Sequence, residues 1–173
     1  PPHFGEEALH QLMTEIDGAA AQLEIEVLGG HTEYSSKVLE PIIVITAVGR
    51  AGRNEFVSSS GAQPGDDLVI SKGAGIEGTA ILATDFRQEL ETALDPALIL
   101  RAQRFAQEIS VIPEGQIGIQ CGVTAMHDIT EGGLYGALWE IAEASQVGIE
   151  VFTEKVPVRP ETEAICNQLK LDP

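Results

Sequence analysis

Residues 126–137 read Met126-His127-Asp128-Ile129-Thr130-Glu131-Gly132-Gly133-Leu134-Tyr135-Gly136-Ala137, and their order decides how the second half of the chain is read. Val123 to Ile129 is an apolar run that reads as a strand. Leu134, Leu138, Ile141 and Ala142 then recur at helical spacing over 132–145. Between strand and helix stand a carboxylate, a hydroxyl and a Gly-Gly pair. Asp128, at a strand end beside a helix N-terminus, is placed to ligate a Mg²⁺ that bridges phosphates. Thr130 can cap the helix or hold a phosphate oxygen. Gly132 and Gly133 leave backbone N–H groups open to an anion. The same residues also read as a plain strand-to-helix turn in which Asp and Thr only cap the helix. His127 reads as a ligand, a base or a hydrogen-bonded structural histidine.

Two more Gly-rich junctions lie upstream. Leu28-Gly29-Gly30-His31-Thr32-Glu33 follows the alternating run Glu24–Leu28 and combines glycines with a hydroxyl and a carboxylate, which suits a phosphate or metal loop or a tight turn. Ser71-Lys72-Gly73-Ala74-Gly75-Ile76-Glu77-Gly78-Thr79 follows the short apolar run 68–71, and Lys72 adds a positive charge, unless the stretch is only a flexible crossover. There is no G-x-x-x-x-G-K-[ST] loop and no G-x-G-x-x-G fingerprint. A serine nucleophile elbow and an H-E-x-x-H zinc motif are also missing from the sequence.

The remaining periodicities complete the outline. Helices are expected over 6–23, 76–86, from Asp95-Pro96 to about Ile109, and from Pro160 to Leu169. Pro113-Glu114-Gly115 reads as a break, and 117–120 fits helix or strand. Strands are expected over 24–28, 41–49, 68–71, 123–129 and 147–152. The Gly-, Pro- and Ser-rich stretch 50–66 reads as a boundary between domains 1–60 and 61–173. The fold class expected is α/β (α+β), with mixed sheets flanked by helices.

Composition narrows the functions. The chain has 173 residues and a formal net charge of −17, from 27 acidic and 10 basic residues. With no Lys/Arg cluster, a nucleic-acid partner or an anionic membrane surface is not expected. A nucleotide stays compatible, because backbone amides and Mg²⁺ hold phosphates without many lysines. Cys121 and Cys166 form no C-x-x-C pattern; they read as small hydrophobes in a reducing, cytoplasmic setting. No apolar run reaches the roughly 20 residues that span a bilayer.

In order along the chain stand Gly29-Gly30-His31-Thr32, an apolar run ending in Val48-Gly49, Gly65-Asp66, the Gly73–Thr79 junction and Asp128-Ile129-Thr130-Glu131-Gly132-Gly133-Leu134. In this arrangement the chain resembles the aminoimidazole ribonucleotide synthetase (AIR synthase) superfamily. Met126-His127-Asp128 and Gly75–Thr79 look most like its HypE-like hydrogenase maturation branch. The resemblance implies a two-domain fold, a homodimer built through first-domain sheets, and nucleotide in the cleft between domains. It implies ATP and Mg²⁺ as cofactors and phosphorylation of an oxygen on a carboxamide-type or small-molecule substrate, the carboxamide belonging to a small molecule or a protein. A kinase or synthetase of the same superfamily and a non-catalytic ligand-binding module are the alternatives. By motif match Gly29, Gly30, Thr32 and Glu33 would face the phosphates. Asp128 would be the Mg²⁺-phosphate carboxylate, with Thr130, Gly132 and Gly133 around it. His31 departs from branches that carry an acid at that position. The superfamily's Gly- and Asp-rich upstream segment and HypE's C-terminal cysteine tail have no counterpart in this sequence. The expectation is therefore the later part of one domain and the earlier part of the next, inactive by itself.

Overall fold

The computed structural model describes residues 3–173. The chain divides into two compact units, one ending at Arg50 and one beginning at Ala51.

In the first unit, helix α1 runs Glu6–Gln22. Leu9, Leu12, Met13, Ile16 and Ala20 share one stripe, and Glu6 and Glu7 stand in the first turn, where the helix dipole favours negative charge. Gly18 sits inside the helix, at a cost of about 1 kcal/mol relative to alanine. No described residue of this unit is buried. The stripe on α1 is half-exposed, and residues 24–50 form no helix or strand and are largely open to solvent. Leu28, Val44 and Val48 are each at least 85% exposed.

The second unit has a core. Its helices are α2 (Ile76–Asp85), α3 (Arg87–Leu90), α4 (Pro96–Gln103), α5 (Ile112–Cys121), α6 (Gly133–Ser145) and α7 (Pro160–Leu169). The Asp95 side chain accepts the Ala97 N–H at 2.9 Å and starts α4, with Pro96 in the first turn. Pro160 does the same for α7. Pro113, expected to break a helix, stands in the first turn of α5, where its missing N–H costs nothing. Ala83, Leu90, Ile99, Ala102 and Ile165 are fully buried together, which joins α2, α3, α4 and α7. Burying each of the larger of these side chains is worth about 1.5–3 kcal/mol. An Arg101–Glu161 contact of 2.7 Å links α4 to α7 at the surface and adds little.

The expected sheets do not form among the described residues, so the α/β reading with mixed sheets flanked by helices is corrected to helices joined by irregular connections. Among the described residues the β-pairing is a single isolated parallel bridge, Ala74 with Val158. The runs at 24–28, 41–49, 68–71, 123–129 and 147–152 form no strand and carry no ladder. The physical reason is that alternation specifies an extended segment with a face to cover. It says nothing of which segment will accept its N–H groups. Here cross-segment backbone bonds are isolated, such as Ala74 N–H to the Pro157 carbonyl at 2.8 Å and Met126 N–H to the Ser58 carbonyl at 3.2 Å.

Candidate site at the entrance to α6

The extended segment before α6 is anchored at several points. Beside the Met126 N–H bond to Ser58, the Ser59 hydroxyl donates to the Met126 carbonyl at 3.1 Å. The Ser145 hydroxyl, at the far end of α6, donates to the Ser59 carbonyl at 3.0 Å and accepts the Ala62 N–H at 3.1 Å. Thr124 donates to Asp66 at 2.6 Å, and the Gln63 N–H reaches the same oxygen at 2.8 Å. The Thr124 bond first, and the Gln63 bond next, hold the Asp66 carboxyl below its ordinary range. Gly61 faces Thr124 so closely that a Cβ there would strike the Thr124 carbonyl. The Ser58-Ser59-Ser60 run, which reads in sequence as linker, thus fastens the segment that carries Asp128.

The turn itself explains its glycines. Gly133 has φ 62°, a left-handed conformation that side chains resist. A Cβ on Gly132 would lie 3.1 Å from the Gly136 Cα. The helix begins with Gly132 at the cap position and no side-chain cap. Gly133 N–H donates to the Thr130 carbonyl at 2.9 Å, so Thr130 contributes backbone and not hydroxyl. The capping alternative thus loses its mechanism: neither Asp128 nor Thr130 caps α6 through its side chain, and no acidic residue stands in the first turn. Asp128 keeps a carboxylate that is 57% exposed, and Thr130 is exposed beside it.

His127 is different. Its side chain is 15% exposed, and its ring bridges Asp128 and Glu140. The Asp128 carbonyl first, and the Glu140 carboxylate next, raise its pKa above the ordinary value. Glu140 had no local signal in the sequence, because it comes thirteen positions later on the polar side of α6.

The other junctions use their groups differently. Lys72, at φ 62°, donates to the Ser110 carbonyl at 2.6 Å and pairs with Glu114 at 2.8 Å. Lys72 is the main cause holding the Glu114 carboxyl below its ordinary range. Its charge is thus taken up inside the unit. Gly29, Gly30, His31, Thr32 and Glu33 belong to the first unit and are exposed. A Cβ at Gly29 or Gly30 would meet no atom within 4 Å, so local packing does not require glycine there.

Among the described residues no three His, Cys, Asp or Glu side chains converge as a metal cage. A lone exposed carboxylate next to uncapped amides suits Mg²⁺, which takes one or two protein carboxylates and fills its octahedron with phosphate oxygens and water. No helix of the described residues is long and apolar enough to cross a membrane.

Two family models match the chain: AIR synthase related protein, N-terminal domain, over residues 1–51, and its C-terminal domain over residues 63–172. A putative hydrogenase expression/formation protein of Methanocaldococcus jannaschii is 32% identical over 177 residues, covering 100% of this chain and 49% of its own length. Carbamoyl dehydratase HypE of Cupriavidus necator is 30% identical over 171 residues, covering 95% of this chain and 45% of its own. A selenide, water dikinase of Sulfurovum sp. is 31% identical over 155 residues, covering 86% of this chain and 41% of its own. The chain spans about half the length of the curated relatives it matches. No solved structure matches it.

Proposed function

The chain belongs to the AIR synthase related family and is HypE-like, and from that premise we propose that it forms part of an ATP- and Mg²⁺-using enzyme that phosphorylates an oxygen of a carboxamide-type substrate. The observation that carries the reading is the entrance to α6. There an exposed Asp128 carboxylate stands beside a helix start without a side-chain cap or an acidic first turn. Uncapped first-turn amides and the helix dipole attract phosphate, and the carboxylate supplies one ligand to the Mg²⁺ that phosphates carry. Thr130, Gly132 and Gly133 would line that phosphate side. Gly29, Gly30, Thr32 and Glu33, in the first unit, are read by motif match as a phosphate-contacting loop, which accords with glycines that local packing does not demand.

The carboxamide follows from chemistry named in a relative. Removing water from a carbamoyl group requires its oxygen to leave, and a phosphoryl group from ATP makes that oxygen a good leaving group. The selenide, water dikinase similarity favours a second reading, phosphoryl transfer to another small acceptor by the same site. The exposed apolar run at 42–48 supports a homodimer in which a second copy covers it.

The test is calorimetry on the full-length protein. Asp128→Asn is expected to weaken Mg²⁺-ATP binding at least about tenfold, the scale of losing a carboxylate that contacts a metal-bound phosphate. Unchanged affinity would refute the site. ATP consumption stimulated by a peptide or small carboxamide separates the dehydratase-like reading from the kinase-like one, and sedimentation tests the dimer.

A further inference from the structure

His127 stands immediately before Asp128 and is much the less exposed of the two. Its Nδ1 lies 2.6 Å from the Asp128 carbonyl oxygen and 3.5 Å from Asp128 Oδ1. Its Nε2 lies 2.8 Å from Glu140 Oε2. A carbonyl and a carboxylate only accept, so each ring nitrogen faces a group that needs a donor. Glu140 lies about two turns inside α6. The ring therefore reaches across the whole Asp128–Gly132 turn, from the peptide of Asp128 to the body of the helix.

That bridge has a mechanical consequence. Asp128 itself is exposed, and its carboxylate makes no hydrogen bond to another side chain among the described residues. Upstream, the segment is fastened at Met126 by the serines. Downstream, Gly133 N–H holds the Thr130 carbonyl. Between these points lie His127, Asp128 and Ile129, and among the described residues the bond from His127 is the one that holds the Asp128 carbonyl.

We infer that His127 is a positioning residue: a side chain with a donor at each end that ties the Asp128 peptide to Glu140 of α6 and so aims the Asp128 carboxylate. The inference rests on the reading of Asp128 as the Mg²⁺-phosphate carboxylate. It requires a two-ended donor of moderate length, not an imidazole as such. Arginine meets that requirement, because its guanidinium offers several N–H groups in a fixed fork and accepts nothing. Phenylalanine keeps the ring and offers no donor.

The experiment is nucleotide binding to the full-length protein, with Mg²⁺ and with Mg²⁺ removed by chelation. Four variants are compared: D128N, H127F, H127R and E140A. Groups that orient a metal ligand are worth about 10–100-fold in metal affinity, so H127F is expected to lose about tenfold or more of the Mg²⁺-dependent binding. Its Mg²⁺-free binding is expected to stay unchanged, which a general loss of structure would not leave alone. H127R is expected to recover the affinity to within about threefold, since it restores both donors. E140A removes one anchor at an exposed position and is expected to fall between. If H127F does not fold, H127R and E140A carry the test, with intermediate loss in E140A and recovery in H127R supporting the bridge. Should D128N leave binding unchanged, the Asp128 reading itself fails. If D128N weakens binding while H127F or E140A does not, the Asp128 reading stands and the positioning role is overturned. Equal loss with and without Mg²⁺ in H127F overturns it as well.

Discussion

Thr79 and Thr162 are the buried polar residues of the second unit, 2% and 1% exposed, and they make a sharp test of how the Gly-rich junction before α2 is held. The Thr79 hydroxyl donates to the Gly75 carbonyl at 2.7 Å and is hydrogen-bonded to the Thr162 hydroxyl at 2.9 Å. Gly75 is the left-handed residue that opens α2, so the pair ties this junction to α7. Valine keeps the shape of threonine and deletes the hydroxyl. In T79V both bonds go and the Thr162 hydroxyl is stranded in the core. A stranded buried hydroxyl together with a lost bond costs about 2–3 kcal/mol. The Gly75 carbonyl keeps the Thr79 N–H at 2.9 Å, so no further orphan is made. In T162V one bond goes and Thr79 retains Gly75, at a cost of about 1 kcal/mol. In the double variant nothing is stranded, and the loss is expected to fall short of the sum by about 1 kcal/mol. For a unit of about 120 residues each kcal/mol moves Tm by about 3–5 °C, so T79V falls by roughly 6–15 °C and T162V by roughly 3–5 °C. Calorimetric and urea unfolding of the full-length protein and the three variants measures this. Equal costs for the two single variants, or strict additivity in the double, would refute the reasoning.

Other perturbations have equally definite outcomes. Ile165 is 0% exposed at the centre of the α2–α4–α7 core, and I165A is expected to cost about 3–4 kcal/mol in urea unfolding, the middle of the large-to-small range. D95A removes the cap on Ala97 N–H and is expected to cost about 1 kcal/mol by the same measurement. G61A places a methyl against the Thr124 carbonyl and is expected to destabilise by about 1–3 kcal/mol while weakening Mg²⁺-ATP binding, because the backbone that must move leads to Asp128. The His127 pKa is raised above 6.5 in the folded chain. Its contribution to stability is therefore complete below about pH 6.5 and is lost as pH rises through the higher folded value. The wild-type urea midpoint is expected to decline as pH rises above about 6.5 more steeply than that of H127F, and parallel slopes would count against it.

The helices were legible where the signal is local. Pro160 marks the first residue of α7, Asp95-Pro96 the start of α4, and the spacing of Leu134, Leu138 and Ile141 the body of α6. Each is a rule about one turn and its neighbours. Pro113 was misread because proline ends one helix and begins another with the same chemistry, and only the chain beyond it decides which. The sheets were not legible for a deeper reason. Ile42, Ile43, Val44 and Ile45 announce a segment with apolar faces, yet pairing is a relation between two segments, and no residue names its partner. The site was half legible. Asp128, Thr130, Gly132 and Gly133 stand at the helix entrance where their order puts them. Glu140, Ser59 and Ser145 join it through contacts that are remote in sequence and have no motif.

The three Gly-rich junctions look alike as strings, and what separates them is where their charge goes. At the junction before α2 the Lys72 ammonium is committed to Ser110 and Glu114, and the loop is strapped to Pro157. A cation already paired at 2.8 Å must break that pair before it can hold a phosphate, and the neighbouring backbone is used as well. At the entrance to α6 the arrangement is reversed. His127 takes up the carbonyl of Asp128 and the carboxylate of Glu140 and stands 3.5 Å from the Asp128 carboxylate, which stays exposed, while the first-turn amides after Gly133 have no side-chain cap. Glycine content alone cannot discriminate these cases, because Gly133 is required by its own φ and Gly132 by Gly136, whether or not a ligand comes. Exposed groups of opposite character are what a Mg²⁺-bound phosphate needs: the carboxylate for the metal and the amides for the oxygens. Of the two junctions in the second unit, that combination is met at Asp128, and for that reason the functional reading rests on this turn and not on the glycines it shares with the other.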